Sequence, residues 1–478
     1  MEIVPVGVTP THGRRARHSN ARARAARARN MREDARERVR LLAADVERAT
    51  GEKPRDDVGW RRRSYVLVTL ACTTVFACAL ALGGRGVGDV DAVRASGRAP
   101  REGASGGGGV KEAVFLTYAD RFAAGACVAA ETAARKRVYL QPLGRGEDAR
   151  LDVRNVTENV KTRKLYAWRR AMTDEGTRTT LGIGDDTVVY LGDAFDVLYF
   201  QTYEEIVRRF REMEAARGAD GLIVVSSERN CWPWMWNATT EIIAGGRELC
   251  ATYPKAPSSY RYLNSGNLMG RAKNVVALLN DVIDRLTNPA EINRVTLDKA
   301  FVHQLNATMW HSSLSEDEIA ADFQRKFEED DQLVLAKAFL SQFADGTPSS
   351  APRPKYKIAL DYEQKLFHSA FQGGLEGDNV TQYKRNDTYY DASHLAAVNT
   401  ETHTSPAIVH FNGGRTNFFS LGRHLIVNTQ RDARYFEIKG ALATRYPAFK
   451  EQCDEVIDHM MQDDWAAWLT QTLSRAPA

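Results

Sequence analysis

The sequence predicts a mixed α/β protein with a mostly parallel central sheet. Short apolar runs rich in β-branched and aromatic residues alternate along the chain with stretches of helical periodicity. The predicted strands are residues 113–117, 138–140, 187–191, 221–225, 356–360 and 407–409. The predicted helices are residues 123–134, 161–172, 202–216, 274–286, 323–340 and 433–473. Strands that alternate with helices are typical of βαβ units, in which helices cover the faces of a parallel sheet.

The charge of the chain is unevenly distributed. The 478 residues carry a formal net charge of +4. Residues 1–63 contain 17 Arg or Lys and 9 Asp or Glu, so the remaining residues carry a small net negative charge. We interpret this Arg/Ala-rich segment as a solvated cytoplasmic tail that sets membrane topology. A nucleic-acid-binding arm is the alternative on charge alone, but the basic residues are not interleaved with aromatic ones, so we predict no nucleic-acid partner.

An uncharged stretch follows this tail at residues 64–84. It is long enough for a transmembrane helix, because about 20 residues at helical rise span the core of a bilayer. Residues 61–63 are all Arg, so the positive-inside rule places the tail in the cytoplasm and the bulk of the chain across the membrane. A cleaved signal peptide is the competing interpretation, which the length and late position of the run disfavour. Residues 85–110 are Gly-rich and are predicted to form a flexible stem.

Sequons and cysteines agree with a lumenal location for the region beyond the predicted span. Five Asn-x-Ser/Thr sequons lie there, at Asn155, Asn237, Asn306, Asn379 and Asn386. Four cysteines lie there as well, where an oxidising lumen permits disulfides. We expect Cys231 and Cys250 to pair, because they are close in sequence. The sequence therefore predicts a single-pass type II membrane protein of the endoplasmic reticulum or Golgi.

Two carboxylates stand just past the end of the third predicted strand. Asp193 and Asp196 are three residues apart, at the position where open α/β sheets bind ligands. Paired carboxylate oxygens suit Mg²⁺ or Mn²⁺ carrying a diphosphate, whereas a solvated acidic turn is the alternative. His410 follows the last predicted strand and precedes Asn412 and Gly413. We predict that it is a third metal ligand beside a flexible phosphate-binding backbone, with an ordinary loop histidine as the alternative.

Three further segments are candidates for contacts with a substrate. Trp232 begins a run of three tryptophans within five residues. Such rings can stack on a sugar, or they can form a core or a disulfide-capped loop. Asp330 and Asp331 end an acidic run that leads directly into an apolar helical segment, so we place them where a helix meets a cleft. The small residues of the segment 262–266 allow the chain to pass close to a ligand.

Seven segments combine these features with further motifs in a fixed order. They are KTRKLYAW, VVYLGDAFDVLYF, LIVVSSERNCWP, YRYLNSGNLMG, DDQLVLAKAFL, IALDYEQKLFHSAFQG and IVHFNGG. In this order they resemble the glycosyltransferase domain of the procollagen lysyl hydroxylases, which also covers collagen galactosyl-hydroxylysine glucosyltransferase activity. The resemblance extends over residues 112–414. Each motif is weak alone, and the shared order makes the set specific.

The resemblance implies a GT-A fold with a UDP-sugar donor and Mn²⁺, and transfer with retention of the anomeric configuration. It implies that the metal is held on the donor diphosphate by Asp193, Asp196 and His410. It implies that Trp232 lies over the donor sugar, and that Asp330 and Asp331 face the transferred sugar or the acceptor hydroxyl. The donor-binding residues predicted with it are Thr117 and Trp168 beside the uridine, then Asn264, Ser265, Gly266, Asn412 and Gly413.

Departures from the family pattern leave the acceptor open. Phe411 stands where the family has Gly, Gly414 stands where it has Pro, and no His-x-Asp iron motif is found.

The predicted function is transfer of a hexose from UDP-glucose or UDP-galactose to a protein or glycan hydroxyl. The alternatives are an inactive lumenal scaffold that retains the GT-A fold, and a transferase of another GT-A family. The oligomeric state is open, with a homodimer as one alternative. The predicted parts are a tail (1–63), a signal anchor (64–84), a stem (85–110), a GT-A domain (111–430) and a helical extension (431–478).

Overall fold

The fold is described from a computed structural model. Its described residues are 110–120, 123–144, 153, 159–217, 221–235, 240–287, 296–299, 301–303, 315–328, 330–343, 356–370, 388–391, 393–412, 415–462, 464–465 and 468. All of them belong to one compact unit, Ala104–Ala478. The predicted tail, the predicted membrane span, the five sequon asparagines and Gly413 lie outside them. Within these residues, no helix combines the length and the apolar character needed to cross a membrane.

The elements alternate along the chain largely as predicted. The strands are β1 Ala113–Tyr118, β2 Leu140–Leu143, β3 Val188–Asp193, β4 Val197–Tyr199, β5 Leu222–Glu228, β6 Tyr262–Arg271, β7 Lys357–Leu360, β8 Phe367–Ser369, β9 Thr388–Asp391, β10 Ala396–Asn399 and β11 Ile408–His410. The helices are α1 Ala124–Arg135, α2 Val160–Thr173, α3 Glu175–Leu181, α4 Tyr203–Ala216, α5 Gly246–Ala251, α6 Ala272–Thr287, α7 Glu316–Glu328, α8 Asp331–Leu340, α9 Arg415–Asn428, α10 Ala433–Arg445 and α11 Pro447–Met460.

A six-stranded sheet forms the centre of the unit, in the order β2-β1-β3-β6-β5-β7. β1 is parallel to β2 and β3, and β5 is parallel to β7, whereas β6 runs antiparallel to both of its neighbours. The prediction of a mixed α/β fold with a mostly parallel sheet is therefore confirmed. Because all strands except β6 point the same way, their carboxyl ends meet at one edge of the sheet. This edge is called the carboxyl edge below.

Side chains alternate between the two faces of this sheet. Leu116 and Leu191 share one apolar cluster with residues of α2, α6 and α8. Phe115 and Tyr190 point the other way and share a cluster with residues of α4 and β8. This period of two is that of a strand buried on both faces. The sheet is thus sandwiched between helices on one side and a mixed layer on the other.

A second sheet has the order β4-β11-β8 and adjoins the carboxyl edge. β11 is antiparallel to β4, and His410 pairs with Val197 in this register. The amide of Phe411 donates a hydrogen bond of 2.7 Å to the carbonyl oxygen of Asp196. The last strand of the domain is therefore fixed directly beside the turn that follows β3.

The C-terminal helices are attached to α1. A disulfide joins Cys127 of α1 to Cys453 of α11, and the buried carboxylate of Glu131 forms ion pairs with Arg135 and with Lys439 of α10. The expected disulfide between Cys231 and Cys250 is present as well. The region predicted to be helical over residues 433–473 contains two helices, which are divided at Tyr446, and the second begins at Pro447. Proline is favoured in the first turn of a helix and disfavoured in its interior.

Candidate active site

Asp193, Asp196 and His410 converge at the carboxyl edge. One potential ligand atom from each lies within 4.8 Å of those of the other two. His410 Nε2 is 3.3 Å from Asp196 Oδ1 and 3.5 Å from Asp193 Oδ2. The structure thus brings together the three residues predicted as metal ligands. Two carboxylates with one imidazole are a donor set that fits a divalent ion such as Mn²⁺.

The imidazole of His410 is hydrogen-bonded to a residue of β6. Its Nδ1 is 3.1 Å from Asn264 Oδ1, which also accepts a hydrogen bond of 3.0 Å from the amide of Gly266. Nδ1 therefore carries the proton in this hydrogen bond, and Nε2 faces the carboxylates. Burial lowers the pKa of His410, but the charges of Asp196 and Asp193 outweigh burial and raise the pKa above its ordinary value.

Lys164 of α2 links two acidic groups and was not predicted as a site residue. Its Nζ is 2.7 Å from Asp193 Oδ1 and 2.7 Å from Asp331 Oδ2. The side chain of Lys164 is buried, which by itself lowers its pKa, but the two carboxylates outweigh burial and the pKa is raised. Lys161 stands one turn earlier on α2, and this spacing was the signal in the sequence that both amines share one helix face.

Asp330 and Asp331 lie at the start of α8 and are both buried. Asp330 caps this helix, because its Oδ1 accepts hydrogen bonds from the amides of Gln332 (3.0 Å) and Leu333 (3.1 Å). The single helix predicted over residues 323–340 is therefore wrong, and a new helix begins after the cap. Asp330 Oδ2 also forms an ion pair of 2.6 Å with Lys161 Nζ. The two aspartates are thus held by the two lysines of α2.

Glu228, at the end of β5, joins the separate parts of the site and was also missed. Its Oε1 accepts hydrogen bonds from Gln332 Nε2 at 2.6 Å and from Asn264 Nδ2 at 3.1 Å. Its Oε2 accepts a hydrogen bond of 3.1 Å from Asn412 Nδ2. Burial raises the pKa of Glu228 to about 7. A glutamate that directly follows a buried strand at the carboxyl edge was the available signal.

The remaining predicted residues fall into two groups. Trp232 is half-buried between α7 and α8. Its ring centroid lies 5.7 Å from that of Phe327 of α7, and its carbonyl accepts a hydrogen bond of 3.1 Å from Gln332 of α8. The Ser265 amide donates a hydrogen bond of 3.3 Å to Gln332 Oε1. Thr117 lies on the other side of the cluster, where its Oγ1 donates a hydrogen bond of 2.9 Å to the carbonyl of Gly192.

Trp168, another predicted site residue, is fully buried. Its side chain has no exposed surface and belongs to the apolar cluster under the sheet. It contacts the site through Lys164, whose Nζ lies 5.5 Å from the centroid of the indole ring. Its buried Nε1 has no hydrogen-bond acceptor among the residues that the structure describes. Its contact with uridine remains a prediction.

Comparison with known proteins finds a family match for part of the domain. Residues 112–314 match the family model of the PLOD GT domain, a range that includes Asp193 and Asp196 but not His410. The procollagen-lysine,2-oxoglutarate 5-dioxygenase of Drosophila melanogaster is 25% identical over 242 residues, which are 50% of this chain and 23% of that protein. An uncharacterized protein of Acanthamoeba polyphaga mimivirus is 32% identical over 104 residues, 22% of this chain and 19% of its own. The chain thus spans less than a quarter of the length of these relatives.

A solved structure titled WbbM bifunctional glycosytransferase is 10% identical and covers 71% of this chain and 52% of its own, with a TM-score of 0.32. That score is too low to support a conclusion about the fold. The family match and the homology to the lysyl hydroxylases confirm the resemblance found in the sequence. Residues 112–314 of the chain are thus similar to the glycosyltransferase domain of the procollagen lysyl hydroxylases.

Proposed function

We propose that the protein is a metal-dependent glycosyltransferase that moves a hexose from a UDP-sugar to a hydroxyl of a protein or glycan, with retention of configuration. The observation that carries the proposal is the convergence of Asp193, Asp196 and His410, the first two of which lie in the family-matched residues 112–314. The mostly parallel sheet with one antiparallel strand and a site at its carboxyl edge fits the GT-A fold.

These three residues would hold Mn²⁺. Their oxygen and imidazole ligands suit it, and His410 already presents Nε2 because Nδ1 is engaged by Asn264. Bound there, the ion would supply positive charge to the diphosphate and to the leaving UDP. Lys164 would add a fixed positive charge beside Asp193, at its Oδ1 atom.

The opposite sides of this cluster have different chemistry. Asp330, Asp331 and Trp232 lie together on the side of α8, where carboxylates can orient sugar or acceptor hydroxyls and an indole can stack on a sugar ring. We therefore assign the hexose and the acceptor to this side. The nucleoside then extends towards β1, where Thr117 lies, and the backbone at Asn412 stays close to the diphosphate.

The names of the relatives and the disulfides support an acceptor and a location. The curated relatives are named for procollagen lysine, so a collagen-like hydroxyl is the first acceptor to test. The disulfides Cys127–Cys453 and Cys231–Cys250 are of the kind that persists in an oxidising compartment. We therefore keep the proposal of a type II membrane protein of the endoplasmic reticulum or Golgi, with this domain in the lumen.

The test is UDP release from UDP-glucose and UDP-galactose by the full chain in detergent, with and without Mn²⁺. Release that needs Mn²⁺ and is lost in Asp196→Ala supports the proposal. If no UDP-sugar binds by calorimetry, the inactive scaffold is the better interpretation. If another nucleotide sugar binds instead, the domain uses a different donor.

A further inference from the structure

The two oxygens of the Asp193 carboxylate face different groups. Oδ2 lies towards the predicted metal cluster, 3.5 Å from His410 Nε2, while Oδ1 forms the 2.7 Å ion pair with Lys164. The same ammonium lies 2.7 Å from Asp331 Oδ2. Lys164 is therefore shared between a predicted metal ligand and a residue on the hexose side.

Acidic groups outnumber basic groups around this lysine. The described part of the site holds five carboxyl groups, on Asp193, Asp196, Glu228, Asp330 and Asp331, against the amines of Lys161 and Lys164 and the imidazole of His410. Lys161 is paired with Asp330 and its side chain is half exposed, whereas only 7% of the Lys164 side chain is exposed. A buried charge is screened less than an exposed one, so Lys164 contributes more to the electrostatic potential at the cluster.

We propose that Lys164 is a positioning residue that makes the site favour the metal ion together with a diphosphate over the bare metal ion. This inference rests on the proposed function. A permanent ammonium on Oδ1 of Asp193 withdraws negative charge from the metal site and repels a second cation, but it attracts an anionic diphosphate. Its second contact, to Asp331, fixes the hexose-side carboxylate relative to the donor side.

A purely structural lysine would behave differently. Loss of a buried ion pair that only supports the fold leaves carboxylates unpaired. The site is then disturbed, and the binding of both Mn²⁺ and UDP is weakened. Loss of a charge that sets ligand preference changes the two affinities in opposite directions. The sign of the two changes therefore separates these explanations.

The experiment measures two affinities by calorimetry on the full chain in detergent, at one pH and one salt concentration. They are the affinity for Mn²⁺ alone and the affinity for UDP at saturating Mn²⁺. We expect Lys164→Met to bind Mn²⁺ about tenfold more tightly and UDP about tenfold more weakly. Lys164→Arg keeps the charge and should retain the wild-type order of affinities. Lys164→Met with Asp331→Asn removes both members of the pair, so its Mn²⁺ affinity should return towards wild type even if the single variant folds poorly.

Lys273→Met is the matched control, because Lys273 is an exposed lysine paired with Asp186 before the first residue of β3. It should leave both affinities unchanged. The proposal is overturned if Lys164→Met weakens the binding of both Mn²⁺ and UDP or changes neither affinity. Wild-type protein that binds no Mn²⁺ overturns the proposed metal site, and the inference with it. If wild type binds Mn²⁺ but no UDP, the proposed function fails alone, and the Mn²⁺ affinity of Lys164→Met still decides whether this charge acts on the metal site.

Discussion

The imidazole of His410 packs against the bare α-carbon of Gly266. A Cβ built on Gly266 would overlap the Cε1 and Nδ1 atoms of that ring. The backbone of Gly266 is not in a left-handed conformation, so space and not torsion angle requires glycine here. A methyl group would displace a predicted metal ligand without changing any ligand chemically.

Gly266→Ala should therefore impair metal binding. We expect Mn²⁺ affinity to fall at least about tenfold and the free energy of unfolding to fall by about 1–3 kcal/mol, because the site is packed too tightly for an added carbon. Titration calorimetry and chemical denaturation measure the two quantities. Gly440→Ala is the control, since nothing lies within 4 Å of a Cβ at this position of α10. Unchanged Mn²⁺ affinity in Gly266→Ala would show that His410 is not a ligand.

Glu228 should make stability depend on pH. Its pKa is raised from 4.5 to about 7 by burial, so the folded protein binds a proton more tightly than the unfolded chain does. A carboxyl group with a raised pKa contributes fully to stability below its pKa in the unfolded chain. This contribution is lost as the pH rises through its pKa in the folded protein. We expect its contribution to the free energy of unfolding to decrease by about 3 kcal/mol between pH 4.5 and 7.

Glu228→Gln tests this expectation, because an amide cannot titrate. Unfolding free energies of wild type and variant are compared from pH 4.5 to 8 in the presence of a chelator. The difference between the two free energies should change from pH 4.5 to about 7 and become constant above about pH 7. A difference that is the same at every pH would mean that Glu228 has an ordinary pKa.

The two disulfides should contribute unequally to stability. Cys127 and Cys453 are separated by 326 residues, and Cys231 and Cys250 by 19. In the chain-entropy model a longer closed loop constrains the unfolded state more, so the long-range disulfide should stabilise by about 2–3 kcal/mol more than the short one. Denaturation of the two double Cys→Ala variants measures this. Equal losses would indicate that the unfolded chain is already compact around α1 and α11.

Much of the site was predictable because strand ends are visible in the sequence. Asp193 follows an apolar β-rich run, and the chain must place it at the carboxyl edge whichever neighbours the strand acquires. His410 follows a similar run, and the order of the motifs between the two indicated that they meet. His410 lies beside Asp196 because β11 pairs with β4.

The burial of Lys164 depends on contacts between distant segments, which its local sequence pattern does not contain. Lys164 belongs to a helix that reads as basic and amphipathic, and its burial arises only because Asp193 and Asp331 approach it from two other elements. β6 was not predicted as a strand, since Asn264, Ser265 and Gly266 have low strand propensity. Hydrogen bonding to strands on both sides holds it in place.

The tryptophan run contains two neighbours with opposite environments. Trp232 is half-buried beside α8, whereas Trp234 is 2% exposed and belongs to the apolar core. Trp234→Ala should reduce the free energy of unfolding by about 3–5 kcal/mol, as is usual when a large core ring is removed. Trp232→Ala should cost less stability, because part of its ring already faces solvent.

Function should respond in the reverse order. If Trp232 stacks on the hexose or the acceptor, Trp232→Ala should lower turnover at least about tenfold while UDP affinity stays within about threefold, since the nucleotide lies beyond the metal cluster. Turnover with UDP-glucose and calorimetry with UDP measure the two effects, at a temperature where Trp234→Ala remains folded. Folded Trp234→Ala should retain wild-type turnover. A parallel loss of UDP affinity in Trp232→Ala would place Trp232 at the nucleotide and reverse the orientation of the donor proposed here.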